Sequence, residues 1–354
     1  MSTQRRIYLD YNATSPLAPA ARQAIAEAMD AVGNPSSIHA EGRSVRARIS
    51  RAREQIARLA GRPREHVVFT SGGTEANALG VMALTRLAEQ KGLPKTIATT
   101  AIEHPSLRGA IRALEGWTVT PVDRASVIAV GAVNHELGTL EPLAFAGHRQ
   151  LVHVDAVQAT GRLDLSTIRA DSIAISAHKI GGPQGVGALI VDERADLALP
   201  WIEAGHQERG RRPGTENTLG IIGFGAAAAA IDPATWAAVA ARGDRLERGL
   251  VGLGARIHGA DRPRIGGTIN AAFPGAAGEA IVIALDLAGI SVSTGAACTS
   301  GSIEPSSVLL GLGMPPERAR EAVRFSLGRA TTDDEIMTVL QALPAIVERA
   351  RQHR

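Results

Sequence analysis

Lysine is almost absent from this sequence. Its 354 residues include 38 lysine and arginine side chains, of which only three are lysine: Lys91, Lys95 and Lys179. Arginine therefore carries nearly all of the positive charge that keeps the surface hydrated. A guanidinium stays protonated and cannot form an imine, whereas a lysine amine can. Because Lys179 follows an apolar run, it is a candidate for covalent amine chemistry, the alternative being a lysine that caps a loop carbonyl.

Cysteine is nearly absent as well. The single residue, Cys298, excludes an intramolecular disulfide, which fits a reducing compartment. Most lone cysteines are small buried hydrophobic residues. Cys298, however, lies in Ser293–Ser302, a run of small and polar residues, and this composition predicts an exposed loop.

Long hydrophobic runs and a strong excess of charge are also missing. The longest apolar stretch, Leu219–Ile231, is too short to span a bilayer, and the basic Met1–Arg6 is not followed by a signal-peptide core. The net charge is only +3, with acidic and basic residues interspersed. We therefore expect a cytoplasmic protein with no membrane partner, no nucleic-acid partner and no metal site.

Polar residues follow two apolar runs near the middle of the chain. Leu151–Val154 and Ser172–Ile175 are typical of buried parallel strands. Asp155 follows the first run, and the segment 176–179, which ends in Lys179, follows the second. Ligands of open α/β sheets bind at such carboxyl ends. An acid and a lysine there suit pyridoxal phosphate, because the lysine forms a Schiff base and the acid pairs with the pyridinium nitrogen.

A second polar segment joins a predicted strand to a predicted helix. His66–Thr70 is the strand, Ser71–Asn77 contains two glycines, and the helix extends to Leu87. Free N–H groups and the positive end of the helix dipole would bind phosphate, although a plain tight turn has the same pattern. His104 follows the strand Thr96–Thr99; it either stacks on a planar cofactor or moves protons, or it lies in an ordinary turn.

The rest of the chain alternates strands and helices, with a domain boundary predicted near Ile231. Further strands are predicted at Ile7–Asp10, Val119–Val122, Val127–Val133, Gly187–Val191 and Thr268–Phe273. Further helices are predicted at Pro19–Met29, Glu41–Leu59, Pro105–Leu114, Leu219–Ala230, Pro233–Leu253, Glu279–Ala288 and Asp333–Arg351. The arginines of Glu41–Leu59 are predicted to form a solvated face. The loop Gly205–Asn217 is predicted to be too long and too charged for packing.

Two links between predicted elements are short. Only Asp123–Ser126 separates the strands predicted at 119–122 and 127–133, whereas a parallel crossover normally needs a dozen or more residues. Either the first run is not a sheet strand, or one face of the sheet is thinly covered. The link Glu141–Gln150 has room only for a short helix.

Nine motifs occur in order between Ile7 and Ile336. They are YLDYNATSP, GNPSSIHAEGR, VFTSGGTEAN, AIEHP, HVDAVQATG, SAHKIGGPQGVGAL, GHQERGRRPGTEN, TGAACTSGSIEPSSVL and VRFSLGRATTDDEI. Together they resemble the NifS/IscS-type cysteine desulfurases of the class V aminotransferase group. The resemblance implies an α/β protein of PLP-dependent transferase fold type I. It implies a large pyridoxal-phosphate-binding domain with a mostly parallel sheet at 15–231, and a smaller α+β domain, formed by 1–14 and 232–354, that carries the cysteine loop.

The resemblance also implies which residues bind the cofactor. Lys179 is implied as the Schiff-base lysine, Asp155 as the partner of the pyridinium nitrogen, and His104 as the stacked ring and a proton donor or acceptor. Further cofactor contacts are implied at Gln158 (phenolate), Gly73, Thr74, Ser176 and His178 (phosphate), His135 and Thr215. In the family, the threonine that matches Thr215 reaches the phosphate of the partner subunit, which implies a homodimer.

The implied reaction converts L-cysteine to alanine. The resemblance makes Arg324 the clamp for the substrate carboxylate, a role that suits a bidentate guanidinium. Further substrate contacts are implied at Asn12, Asn34 and Asn134. The Cys298 thiolate attacks the substrate sulfur and becomes a persulfide. An acceptor protein, such as an iron–sulfur scaffold or an enzyme of thio-cofactor synthesis, would then receive the sulfur.

The chain departs from the family pattern in two places. His135 stands where the family commonly has asparagine, and we expect tuning of the site rather than loss of function. Helical segments that the family carries around Asp123–Ser126 and Glu141–Gln150 are missing. The alternatives are a selenocysteine lyase or another class V lyase, or a trimmed, inactive homologue that serves as a partner in sulfur transfer.

Overall fold

The computed structural model describes residues 6–141, 150–196, 204–295 and 304–352. The strands in these ranges are β1 (Ile7–Tyr8), β2 (Val67–Thr70), β3 (Thr96–Ala98), β4 (Thr118–Val119), β5 (Val127–Gly131), β6 (Leu151–Asp155), β7 (Ser172–Ser176), β8 (Gly187–Val191), β9 (Arg256–Ile257), β10 (Thr268–Ala272), β11 (Ile290–Ser291) and β12 (Ala322–Ser326). The α-helices are α1 (Pro19–Ala26), α2 (Ala40–Ala60), α3 (Gly73–Gln90), α4 (Pro105–Arg112), α5 (Glu193–Asp196), α6 (Thr218–Ala229), α7 (Pro233–Gly252), α8 (Gly278–Leu287), α9 (Ser307–Gly311), α10 (Pro316–Ala319) and α11 (Asp333–Gln352).

The chain divides into two compact units. The large unit consists of Ser15–Ala132 and Glu141–Ile231, and the small unit consists of Met1–Thr14, Val133–Leu140 and Asp232–Arg354. This division rests on the contacts within each unit. It assigns Val133–Leu140 to the small unit, whereas the predicted large domain at 15–231 includes these residues. The division of the chain into folding domains at 15–231 and at 1–14 with 232–354 stays a prediction.

The large unit is built on a mixed sheet of seven strands. Their order is β2-β8-β7-β6-β5-β3-β4, and only β8 runs against the other strands. All five residues of each of β5, β6 and β7 are buried, as expected for strands covered on both faces. The strands predicted at 151–154 and 172–175 are thus confirmed. So is the α/β fold with a mostly parallel sheet.

The first short link, Asp123–Ser126, follows a two-residue strand at the edge of the sheet, β4. β4 is exposed and pairs with β3, which itself pairs with β5 on its other side. A single 3-10 turn, Val122–Arg124, leads from β4 towards β5. The strand predicted at 119–122 is therefore wrong in extent, since only Thr118 and Val119 form a strand. Both residues are exposed, so little apolar surface is buried here to support a longer strand. Residues 142–149 of the second short link lie outside the described ranges.

Two predictions about charged segments need correction. The arginines of α2 are exposed as predicted, with the exception of Arg53. Arg53 donates to both carboxylate oxygens of Glu208, at 2.7 and 2.5 Å, and lies 4.7 Å above the ring of Phe69. Glu208, which is buried, also accepts a hydrogen bond from the Phe69 backbone at 2.9 Å. The loop Gly205–Asn217 is thereby packed despite its charge, because a bidentate ion pair with further hydrogen bonds compensates the desolvation of both partners.

The small unit has its own sheet and apolar core. β10 pairs antiparallel with β12 and with β9, while β1 pairs parallel with β11. Helices α7, α8 and α11 contribute apolar faces, and Phe273 and Phe325 lie fully buried in the core that results. The predicted strand at 268–273 and the predicted helices at 279–288 and 333–351 are confirmed. Pairing of β10 with β12 places Asn270 opposite Arg324.

Within the described ranges, no single helix is long and apolar enough to cross a membrane. The bent pair Thr218–Ala229 and Pro233–Gly252 passes that test only when both helices are counted together.

Candidate active site

Asp155 is the last residue of β6, and each of its carboxylate oxygens accepts a hydrogen bond. The side chain is buried, and its Oδ2 accepts a hydrogen bond from Nδ2 of Asn77 on α3 at 2.7 Å. Its Oδ1 accepts from the backbone N–H of Val157 at 3.0 Å. Two donors therefore fix the position and orientation of this carboxylate at the carboxyl edge of the sheet.

A buried histidine fixes Asn77 in turn. His153 on β6 is fully buried, and its Nε2 lies 3.0 Å from Oδ1 of Asn77 while its Nδ1 lies 2.8 Å from Oγ of Ser172. Burial lowers the pKa of His153 to about 3, so the ring is neutral. Because the Asn77 amide nitrogen donates to Asp155, its oxygen must accept, and we assign the ring proton to Nε2. Ser172, His153 and Asn77 thus form a chain of hydrogen bonds that ends on Asp155.

This chain requires a glycine on α3, and the requirement can be tested. A Cβ at Gly80 would lie 2.4 Å from Cε1 and Nδ1 of His153. Since hydrogen bonds hold the ring on both sides, Gly80→Ala should lower the free energy of unfolding in urea by about 1–3 kcal/mol. Gly109→Ala on α4 is the matched control, because a Cβ there meets nothing within 4 Å; it should raise stability by about 0.5–1 kcal/mol. Equal stability of the two variants would contradict the account.

His104 caps the start of α4 as a neutral ring. Its Nδ1 accepts from the backbone N–H of Ser106 at 3.2 Å and lies 2.7 Å from that residue's hydroxyl oxygen, which also accepts from Asn77 at 2.9 Å. Desolvation lowers the pKa of His104; the carboxylate of Asp155 opposes this effect and the charge of Lys179 adds to it. Because Nδ1 is used as an acceptor, the ring proton belongs on Nε2.

Lys179 lies in a 3-10 turn, Ala177–Lys179, that directly follows β7. Ser15 holds this turn with its backbone N–H on the carbonyl of His178, at 2.8 Å, and its hydroxyl on the carbonyl of Lys179, at 2.7 Å. Burial and the charge of Lys179 lower the pKa of His178 to about 4, so this ring is neutral too. Asp155 therefore ends one strand and Lys179 follows the adjacent one.

The start of α3 packs against the end of β7. Gly72 caps the helix in an extended conformation without a side-chain cap. A Cβ at Gly73 would lie 2.7 Å from Cγ2 of Val157 and 3.5 Å from Cβ of Ser176, so a side chain would fill the space between helix and strand. The first N–H groups of a helix have no partner within the helix. Gly73 and Ser176, both predicted to bind phosphate, are therefore neighbours at an end suited to an anion.

Glu103 is a buried acid that the sequence analysis did not single out. Its oxygens accept from the backbone N–H of Gly131 and from the hydroxyl of Thr100, both at 2.8 Å. Burial raises the pKa of Glu103 from 4.5 to about 7, and the charge of Asp155 adds to the rise. The residue can therefore be neutral or charged near physiological pH.

The shift of Glu103 predicts a pH dependence. Between pH 4.5 and 7, Glu103 keeps its proton in the folded chain but has lost it in the unfolded chain. The contribution of this proton to the free energy of unfolding is therefore full below pH 4.5 and is lost as the pH rises through 7. Glutamine does not titrate. The stability of Glu103→Gln relative to wild type should therefore rise by about 1–3 kcal/mol from pH 5 to pH 8 in urea unfolding. Taking the difference between the two proteins cancels the titration of other groups.

The control for this experiment is Glu115→Gln at an exposed position. It should change stability by less than about 0.5 kcal/mol at either pH. A constant difference between Glu103→Gln and wild type across the range would rule out the shifted pKa.

The predicted substrate residues of the small unit surround one backbone carbonyl. Arg324, which is buried on β12, donates to Oδ1 of Asp10 at 2.8 Å and to the carbonyl of His135 at 3.1 Å. Asn12 donates to the same carbonyl at 3.1 Å. The side-chain oxygen of Asn134 accepts from two backbone N–H groups, those of Glu136 at 2.9 Å and of Leu137 at 3.0 Å, and so shapes this turn. Asn12, Asn134, His135 and Arg324 are thus brought together.

The other predicted residues have different surroundings. Gln158 is buried in the large unit, whereas Thr74 and Thr215 are exposed. Asn34 is exposed and its side chain accepts from the backbone N–H of Ser36 at 2.9 Å, closing a local turn. Cys298 lies outside the described residues.

The sequence analysis missed several residues that hold the predicted ones in place. They are Asp10, Asn77, Glu103, Ser106, Glu136 and His153. Asn77 had a usable signal, since it lies one helical turn after the glycines and on the face of α3 that packs against the sheet. For His153, the only signal was a histidine within an otherwise apolar strand.

The groups of the large unit fit pyridoxal phosphate. They provide an amine on one strand end, an oriented carboxylate on the next, a neutral histidine ring and a helix start that a side chain at Gly73 would block. Each matches one part of the cofactor: the aldehyde carbon, the ring nitrogen, the ring face and the phosphate.

Comparison with known proteins identifies relatives over nearly the whole chain. The family model described as aminotransferase class-V matches residues 7–122 and 117–339. The cysteine desulfurase of Cereibacter sphaeroides is 39% identical, with 98% of this chain and 97% of the relative covered. The cysteine desulfurase of Trichormus azollae is 38% identical, with 98% and 94% covered. The X-ray structure of a NifS-like protein from Rickettsia africae is 29% identical, with a TM-score of 0.83 and 97% and 100% covered.

Proposed function

Because this chain belongs to the class V aminotransferase family and, within it, to the cysteine desulfurases, we propose that it takes sulfur from L-cysteine and leaves alanine. The enzyme depends on pyridoxal phosphate, as its family does. The observation that supports this most is the pair at the carboxyl edge of the large-unit sheet, where Asp155 ends β6 and Lys179 follows the adjacent β7.

We assign the binding of the cofactor to residues of the large unit. Lys179 would hold it covalently, Asp155 would pair with the ring nitrogen, and His104 would lie against the ring. The phosphate would be held by Gly73, Thr74, Ser176 and His178, and the phenolate would be contacted by Gln158. When bound, the cofactor supplies an acceptor for the electron pair that is released as the substrate loses its α-proton. The hydrogen bonds from Asn77 and Val157 fix the carboxylate of Asp155 for pairing with the ring nitrogen.

Substrate binding is assigned to the small unit. Arg324 has five N–H groups, and its contacts with Asp10 and the His135 carbonyl use two of them. The Nε of Arg324 is buried and has no hydrogen-bond partner among the described residues. A guanidinium that is already fixed by two contacts is pre-organised to bind the carboxylate of an amino acid. Further substrate contacts are proposed for Asn12, Asn34 and Asn134, and a contact to the cofactor for His135.

Proton transfer and sulfur transfer are assigned to three side chains. The amine of Lys179 would remove the α-proton of the substrate and return it. The Cys298 thiolate attacks the substrate sulfur: a sulfur–sulfur bond forms, the carbon–sulfur bond breaks, and its electron pair stays with the carbon skeleton. The β-carbon then takes a proton, the α-carbon regains its own, and alanine is the product. We assign to His104, which is neutral and carries its proton on Nε2, the exchange of protons with the reacting thiol.

The finer proposals concern partners. Thr215 is exposed, which suits a contact with the phosphate of a second subunit, and we propose a homodimer. The persulfide on Cys298 is proposed to pass to an acceptor that builds iron–sulfur clusters or sulfur-containing cofactors. An iron–sulfur scaffold protein is one such acceptor.

The test of this function is a product balance. Purified protein loaded with pyridoxal phosphate should release alanine and sulfide from L-cysteine in equal amounts when a thiol reductant is present. The relatives of this chain favour a desulfurase over a selenocysteine lyase or an inactive homologue. Turnover of L-selenocysteine with no turnover of L-cysteine would contradict the proposal, and so would a protein that binds the cofactor but turns over neither substrate.

A further inference from the structure

We propose that Glu136 is a positioning residue that fixes both ends of the segment carrying Cys298. This inference rests on the proposed role of Cys298 as sulfur acceptor. Residues 296–303 contain Cys298, and Gly295 and Ser306 are described residues on either side of that segment. Oε2 of Glu136 accepts a hydrogen bond from Ser306 and occupies the space that a side chain at residue 295 would need.

The contact on the C-terminal side is a hydrogen bond. The hydroxyl of Ser306 donates to Oε2 of Glu136 at 2.5 Å. The same Ser306 oxygen accepts from the backbone N–H of Leu309 at 3.1 Å and caps α9. Ser306 is 2% exposed, so water cannot easily replace either partner. Glu136 therefore ties the start of α9 to the turn at 134–137.

On the N-terminal side, Glu136 excludes any side chain larger than that of glycine at residue 295. Gly295 has φ +81°, and a Cβ there would lie 2.7 Å from Oε2, 3.0 Å from Cδ and 3.3 Å from Cγ of Glu136. Its backbone N–H donates to Oγ of Ser293 at 3.1 Å. Ser293 pairs through its backbone with Arg324, with N···O distances of 2.6 and 3.2 Å. Residue 295 therefore has a backbone conformation and a position beside Glu136 that favour glycine.

Glu136 is itself held in place. Its side chain is buried, and its backbone N–H donates to Asn134 at 2.9 Å. Its Oε1 lies 3.7 Å from Nε2 of His135. Burial raises the pKa of Glu136 to about 7, while the hydroxyl of Ser306 and the charge of Arg324 oppose the rise. The group that joins the two ends thus belongs to the same cluster as the proposed substrate clamp.

The expected benefit is a higher frequency of productive attack. A thiolate must reach the substrate sulfur within a short distance and along a defined direction. Fixing the residues on either side before the substrate arrives lowers the conformational entropy that must be lost when Cys298 reacts. Glu136 needs no contact with substrate or cofactor to act in this way.

The experiment measures single-turnover transfer of sulfur to Cys298. It compares two Gly→Ala variants at positions with the same positive φ, so that the backbone strain from the substitution is the same in both. Gly295→Ala should slow persulfide formation by about tenfold or more, in line with the cost of misplacing a reacting group. Gly289→Ala is the matched control: Gly289 also has φ +81°, and a Cβ there meets nothing within 4 Å. The control should keep the wild-type rate.

Variants of Glu136 complete the test. Glu136→Ala should slow transfer about as much as Gly295→Ala, with an unchanged KM for L-cysteine and unchanged visible absorbance of the bound cofactor. Glu136→Gln keeps an acceptor for the Ser306 hydroxyl and should recover most of the rate. The double variant Glu136→Ala with Gly295→Ala should be no slower than Glu136→Ala, because the carboxylate that an alanine would strike is gone.

Two results would overturn the inference. One is a wild-type rate for Glu136→Ala, and the other is equal rates for Gly295→Ala and Gly289→Ala. Both rate comparisons can be made only if the wild-type protein forms the persulfide. Failure of wild type itself would remove the proposed function instead, so the two failures are distinguishable. Alkylation with iodoacetamide adds a readout without turnover: Cys298 is the only thiol in the chain, and its rate should change in Glu136→Ala but not in Gly289→Ala.

Discussion

Lys179→Ala should abolish alanine production and remove the visible absorbance of covalently held pyridoxal phosphate. Within residues 176–179 only Lys179 carries a primary amine, and an imidazole such as that of His178 cannot form an imine. Loss of the proton-transfer role alone is worth about 10²–10⁴-fold in rate. Loss of the covalent link adds to that effect. Absorbance spectra and an alanine assay on the same preparation measure both.

The control for this variant is Lys91→Ala. Lys91 is exposed and caps the C-terminus of α3, far along the helix from Gly73. This variant should keep the absorbance and the rate of wild type. Borohydride reduction offers a direct check, since a cofactor that stays reducible and attached in Lys179→Ala would show that another residue holds it.

Cys298→Ala should separate cofactor chemistry from sulfur transfer. The variant lacks the only thiol of the chain, so no persulfide can form. The residues assigned to the cofactor are untouched, and the visible absorbance should match wild type. Alanine release should fall by about 10³-fold or more, the scale found when a covalent nucleophile is removed.

Cys298→Ser sharpens this second prediction. Serine keeps the size and the polarity of the side chain, but its hydroxyl is far harder to ionise and gives no transferable persulfide. Its activity should therefore be as low as that of Cys298→Ala. Substantial alanine release by either variant would mean that sulfur leaves the substrate without Cys298.

The sequence predicts the buried strands of the large unit well because each is a short apolar run with polar residues after it. The same pattern places Asp155 and Lys179 at the ends of adjacent strands. It does not reveal that Arg53 and Glu208 pair, since 155 residues separate them and both belong to segments rich in charge. Charge in a sequence indicates hydration by default, and only the fold shows which charges are compensated inside.

The hydrogen-bond chain behind Asp155 shows the same limit. Asn77 and His153 are 76 residues apart, and neither stands out by composition. Their pairing depends on α3 crossing the sheet so closely that Gly80 meets the histidine ring. Glu136 and Ser306 are 170 residues apart and meet in the small unit. Residues that bind a ligand lie in recognisable motifs, whereas residues that hold them in place are chosen by packing.

The most direct test of the central claim is the mass of the peptide that contains Cys298. Wild-type protein is incubated with L-cysteine without reductant, alkylated, digested and analysed by mass spectrometry. We expect one additional sulfur atom on Cys298, in an amount equal to the alanine formed in the first turnover, and no such mass in Lys179→Ala. Alanine formation by wild type without added sulfur on this peptide would contradict the assignment of Cys298 as the sulfur acceptor.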